Sequence, residues 1–223
     1  MSHLRPALFL LVAVALLSSG CLTLSTPLSA DALRAGEVEA GGSLSGVHSP
    51  GSFQDASDPL LPTGEVSLRY GVADGHELGA KLFTVGAAVL SRHTLLRPAD
   101  GGDGLRLSVE PQLSAYDQVS FSGTYGGGLK LVPQVSLYAG QRWGAHEVLL
   151  TARAVDFLHL SRPAGTLHQP YLGGGLTYSL RVHGPLRVGA YVAYLHPLVR
   201  IAGYQDAAIL QGGPILTGTW STR

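Results

Sequence analysis

Ser91 and His93 stand two residues apart, a spacing that puts a nucleophile and a base on one face of a strand. Such a pair could serve acyl transfer. The plainer reading, adopted here, is a strand that runs near a membrane interface, and the pair is given no catalytic role. His159, His168 and His183 fall in loops or turns at scattered spacing, with no ligand-like pair beside a carboxylate, so no metal site is expected. The glycine runs at 126–128 and 173–175 lack the Lys-Ser/Thr that a phosphate loop needs after them, and they suit strands that bend or crowd in a barrel wall. Neither catalysis nor a cofactor is expected.

The elements that would position these residues are strands. Leu105 to Ala115 carries an apolar side chain at every odd position and a polar one at every even position. Val66, Leu68, Tyr70 and Val72 alternate in the same way with Glu65, Ser67, Arg69 and Gly71, and Asp74-Gly75 then makes a hairpin turn into Leu78, Ala80 and Leu82. Further runs occupy 129–138, 171–182 and 186–194, with weaker ones near 36–47, 87–96, 146–158 and 206–220. The count is about ten antiparallel strands, an even number as closure of a single-chain barrel requires. Compact connections at 74–75, 97–103, 140–145 and 183–185 alternate with longer ones at 48–63, 117–126, 159–168 and 199–205, while the short one at 84–87 departs from the pattern.

Alternation permits a soluble barrel with its apolar face inward or a membrane barrel with that face outward. The polar face holds Glu37, Glu39, Glu65, Arg69, Glu77, Lys81, Arg92, Arg106, Glu110, Lys130, Glu147, Arg153, Arg181 and Arg187, with glycines between them. These near-balanced charges, eight basic and six acidic, suit pairing across a narrow lumen. The other face offers Leu, Val and Ala to lipid, with Tyr70, Tyr178, Tyr194 and Trp220 as interfacial aromatics. The expected fold is therefore all-β, a single antiparallel up-and-down transmembrane β-barrel of about ten strands over 35–223. Its lumen-facing charges would include Glu65, Arg69, Lys81, Arg106, Glu110, Lys130, Arg153, Arg181 and Arg187.

Ahead of the barrel, Met1 to Arg5 carries one positive charge, and the apolar stretch from Pro6 to Leu17 is too short for a comfortable transmembrane helix. Residues 1–20 read as a cleaved secretory signal. Ser19-Gly20-Cys21 resembles the bacterial lipobox, although Ser18 stands where Leu is usual and Leu17 lies one place further back. The resemblance implies that Cys21, the single cysteine of the chain, carries a lipid and that 21–34 is a lipidated tether. Removing 1–20 takes Arg5 and no acid from 15 basic and 15 acidic residues, leaving a formal charge of minus one that favours no nucleic acid partner.

The stretch from Glu65 to Leu82, then His93 to Pro98, then Leu105 to Ala115 looks like the strand and DG-turn pattern of small bacterial outer-membrane β-barrel proteins. The likeness is one of pattern over most of the chain. Such barrels usually end in an aromatic residue read by the assembly machinery; here Trp220 stands three residues before the end and Gly213-Pro214 interrupts the approach. Enzymes among these barrels carry Asp and His at the outer rim or a His and Ser on one strand, and neither motif is recognisable. The resemblance implies the outer membrane of a Gram-negative-type bacterium, with the N-terminus lipidated on the periplasmic side. Partners would be outer-membrane lipid and the export, lipoprotein-processing and barrel-assembly machineries. The expected role is structural or interactive; the alternatives are a narrow small-solute channel and a soluble, lipid-tethered periplasmic barrel.

Overall fold

Period-two alternation becomes ten strands: β1 (Glu37–His48), β2 (Leu61–Ala73), β3 (His76–Phe83), β4 (Gly86–Leu96), β5 (Gly104–Asp117), β6 (Leu129–Trp143), β7 (His146–Ser161), β8 (Gly165–His183), β9 (Leu186–Pro197) and β10 (Ile209–Ser221). The structure, a computed structural model, describes residues 24–48, 61–84, 86–98, 102–117, 129–161, 165–199 and 208–222. The signal peptide, Cys21 and the glycines at 126–128 lie outside the described residues. Each strand pairs antiparallel with its neighbours in the chain, and β1 closes on β10 from Glu37↔Ser221 to His48↔Leu210, so no sheet edge remains open.

Tight turns join β2 to β3, β6 to β7 and β8 to β9 at one end, the turn end, where both described termini of the barrel also lie. Gly75 and Gly184 hold φ of 79° and 51° there, a region that L side chains avoid. The opposite, loop end carries a short connection between Phe83 and Gly86 and the long ones after β1, β5 and β9. The connection expected at 159–168 is shorter than that: β7 runs to Ser161 and β8 starts at Gly165, so His159 and His168 are strand residues. Three ladders skip where a proline sits: β4–β5 at Pro111, β6–β7 at Pro133 and β1–β10 at Pro214. Proline has no N–H to give to a ladder, and the pairing resumes on either side of it.

The two faces separate by charge. Arg106 and Glu110 are fully buried inside the barrel, whereas Leu82 and Val89 on the outer face are 61% and 62% exposed. This is the membrane arrangement, apolar side outward. Tyr70, Trp143, Tyr178 and Trp220 stand exposed near the turn end, with Trp143 stacked on His146 and the Tyr178 hydroxyl 2.6 Å from His146 Nδ1. Towards the loop end Tyr194 is exposed beside His196, and an outward polar contact joins Asp156 Oδ2 to His168 Nδ1 at 3.0 Å. From His146 to Asp156 along β7, a strand tilted by roughly 40° rises about 25 Å, the height of a lipid-facing belt. Leu150, 58% exposed, sits midway along that span. Leu150→Arg is expected to lower the unfolding free energy in lipid vesicles by about 2–4 kcal/mol, read from urea titration.

Candidate functional site: the filled lumen

Inward positions of β2 to β6 bring five polar groups together in the turn half of the lumen. Glu110 accepts from Arg69 Nη1 at 2.9 Å, from Arg92 Nε and Nη2 at 3.0 and 2.8 Å, and from the Tyr138 hydroxyl at 3.0 Å. Arg69 also reaches Glu77 at 2.7 Å, and Arg92 lies 3.4 Å from that carboxylate, with its guanidinium 5.4 Å from the Tyr138 ring centroid. Across the lumen Glu147 collects Arg142 at 2.8 Å and Arg187 at 3.0 Å, while Lys81 Nζ lies 3.6 Å from Glu65. Buried charges of this kind are tolerable only because each carboxylate answers a cation and further hydrogen bonds complete the set.

The space these side chains leave is occupied by the chain's own N-terminal segment. Residues 24–35, of which 24–34 belong to the expected tether, run through the lumen from its middle towards the turn end, without pairing in the sheet. Leu24, Leu28, Ala30 and Ala32 are buried. The Leu24 amide donates to Gln211 Oε1 at 2.7 Å, that of Ala30 to Glu147 Oε1 at 2.9 Å and that of Leu33 to Glu77 Oε2 at 2.8 Å. In the other sense, the Leu24 carbonyl accepts from Arg153 at 2.8 Å, that of Leu28 from Ser179 at 2.7 Å and Arg187 at 3.0 Å, and that of Ser29 from Arg92 at 3.0 Å. Asp31 meets Arg106 Nε at 2.5 Å and lies 3.7 Å from Arg142. Ser25 donates to Glu65 at 2.5 Å, and the hydroxyls of Thr26 and Thr177 are bonded to each other.

Room for the segment comes from glycines in the wall. A Cβ on Gly140 would stand 2.7 Å from Ala30 Cβ, and one on Gly189 would stand 2.6 Å from Leu28 Cδ2. Gly140→Val is therefore expected to loosen the segment around Ala30 while the ten strands stay closed. Protease added to the folded barrel should then cut between residues 24 and 35 at least about tenfold faster than in the parent, an opening eased by about 1.4 kcal/mol.

Of the charges placed in the lumen by their phase, Glu65, Arg69, Lys81, Arg106, Glu110, Arg153 and Arg187 are buried there. Lys130 shares the inward phase but is half-buried near the loop end of β6, with Nζ 5.9 Å from the Tyr116 ring centroid. Arg181 also keeps the inward phase, yet it is exposed. It lies one residue from the β8–β9 register shift at the turn rim, where phase no longer implies depth. Arg142, read as part of a turn, is a lumen residue, and Asp31 was hidden in the expected tether. The loop half of the lumen adds an aromatic and aliphatic cluster, in which Phe83, Tyr116, Val132, Phe157, Tyr171, Tyr191 and Leu195 join Leu24 and Leu28. Buried Glu65, Lys81, Gln112, Ser114, Gln169 and Gln211 lie among them, so aromatic residues there share the lumen with polar ones.

On the outer wall the structure does bring Ser91 and His93 together, Oγ to Nε2 at 3.3 Å, and the β3–β4 register adds His76, whose Nδ1 lies 2.7 Å from His93 Nδ1. This small polar group faces the turn-side margin of the belt, in keeping with a strand near an interface. Among the described residues no three His, Cys, Asp or Glu side chains gather as a metal site. What the lumen can do chemically is hold an extended peptide by its main chain.

No protein-family model matches the sequence, and no curated protein does. Solved structures similar to it include Ail, the attachment invasion locus protein of Yersinia pestis, at 13% identity and TM-score 0.33 over 84% of this chain and 100% of that one. The outer membrane protease OmpT from Escherichia coli is similar at 13% identity and TM-score 0.36, over 86% and 100% of the two chains. Neisserial surface protein A is similar at 11% and 0.30, over 82% and 95%. Likeness of this degree transfers no activity; the architecture itself, ten antiparallel strands closed with the apolar face outward, is that of an outer-membrane barrel.

Proposed function

We propose that this chain is an outer-membrane β-barrel whose lumen is filled by its own N-terminal segment, acylated at Cys21, with a role that is structural or interactive and neither catalytic nor conductive. The observation that carries the reading is the lumen itself, in which residues 24–35 answer inward cations and Leu24 joins the buried aromatic cluster of the loop half. The apolar outer wall, with its aromatic margins, supports an integral barrel over a soluble one.

Two measurements test it. The full-length protein, reconstituted in planar bilayers, is expected to leave the baseline current unchanged; regular steps would overturn the closed reading. Labelled palmitate is expected to enter the parent and not Cys21→Ala carried behind a non-lipoprotein signal. That unlabelled variant should stay in outer membranes through a urea wash, because the barrel wall holds it there; its release into the soluble fraction would overturn the integral reading.

A further inference from the structure

We infer that the lumen is a binding site for an extended peptide bearing one acidic side chain, and that residues 24–35 are its built-in occupant, replaceable by a second peptide of the same chemistry. The recognition is mostly of main chain. Over Leu24 to Leu33 the wall contacts the amides of Leu24, Ala30, Ala32 and Leu33 and the carbonyls of Leu24, Ser25, Leu28, Ser29 and Asp31. Such contacts are indifferent to most side chains, as they are wherever a protein binds a peptide by its backbone. One side chain is read by charge: Asp31, between Arg106 and Arg142.

The wall is also charged to receive an occupant. Arg153 directs Nη1 at the Leu24 carbonyl, and Arg106, nearer the turn end, directs Nε at the Asp31 carboxylate. Vacating the segment takes an acceptor from each of these buried cations. The segment, in turn, is joined to the barrel only through Ala35 and Gly36 at the turn rim, where Gly36 N donates to Gly71 O at 2.8 Å. A cut there leaves all ten strands covalently whole, since β1 begins at Glu37.

The experiment uses the full-length barrel with a protease site inserted between Ala35 and Gly36, folded in detergent, cut, and offered a fluorescent synthetic peptide of residues 22–35. The labelled peptide is expected to replace the cut segment at one per barrel. An unlabelled Asp31→Asn peptide should compete at least about tenfold more weakly than the parent peptide, and a peptide with Leu24→Val and Leu28→Val within about threefold of it. Uptake of label by uncut barrel to the same extent would place the peptide elsewhere and overturn the inference. So would equal competition by the Asp31→Asn peptide, or no exchange over days in a barrel that still migrates as folded in unheated gels. A barrel that unfolds when the cut segment leaves would also overturn it, because the segment would then be core and not ligand. A second variant, lacking 22–34 and folded alone, separates these cases: one-to-one binding of the parent peptide, at least about tenfold tighter than of Asp31→Asn, supports the site, and failure of that barrel to fold assigns the segment to the core and overturns it.

Discussion

Glu110→Ala is expected to be the most damaging single substitution in the barrel, lowering its unfolding free energy by about 3–5 kcal/mol as measured by urea titration in lipid vesicles. Glu110 is fully buried and accepts from Arg69, from Arg92 twice and from Tyr138. Removing the carboxylate leaves two guanidiniums to share Glu77, which lies 2.7 Å from Arg69 and 3.4 Å from Arg92. The loss comes from stranded charge and not from lost packing, so it should be partly reversed by removing one of the cations: Glu110→Ala with Arg92→Met is expected to regain at least about 1 kcal/mol over Glu110→Ala alone. An additive double variant would show that the two side chains do not act as a pair.

Deleting residues 24–34 is expected to turn a silent barrel into one that passes current in planar bilayers, with a preference for anions. The lumen lined by the described strands holds Arg69, Lys81, Arg92, Arg106, Arg142, Arg153 and Arg187 against Glu39, Glu65, Glu77, Glu110 and Glu147. Asp31 leaves with the segment, so the excess of two cations stands unanswered. Under a potassium chloride gradient the reversal potential should move towards that of chloride, and Arg106→Gln in the deleted barrel should reduce the shift. A deleted barrel that folds and stays silent would mean that the aromatic cluster of the loop half closes the lumen unaided.

How far the sequence discloses this molecule depends on which feature is asked for. Strand number and phase are legible because a buried polar face and a lipid-facing apolar face both obey the same period: Leu105 to Ala115 states it plainly, and even the weak run at 146–158 becomes β7. The reach of β7 and β8 past the belt is less legible, since above the membrane the outer face no longer has to be apolar, and His159 and His168 imitate a loop while remaining in strands. The two layers of the lumen are harder still. In the loop half of β7, Val155 and Phe157 face inward while Asp156 faces outward, the reverse of the polarity that the turn half teaches. The segment at 24–35 has no period to read, because it pairs with no strand and its partners, from Gln211 back to Glu77, are scattered over the whole chain. Its only trace is composition: Leu, Ser, Thr and Ala, small enough for a crowded lumen, with a lone Asp31.

The direction of that segment also constrains the order in which the molecule can be built. Of the described residues in that segment Leu24 lies deepest and Ala35 lies at the turn rim, so the segment runs into the barrel with Leu24 leading. Were the ten strands to close first, Leu24 would have to enter head-first past arginine and tyrosine with all that precedes it in the chain, a load that a short free peptide does not carry. Laid across an open, curving sheet instead, the segment meets Arg92, Arg153 and Arg187 one after another, and the meeting of β1 with β10 becomes the last act. The segment then serves as the mandrel around which the wall is wound, and the seam between first and last strands is sewn over it.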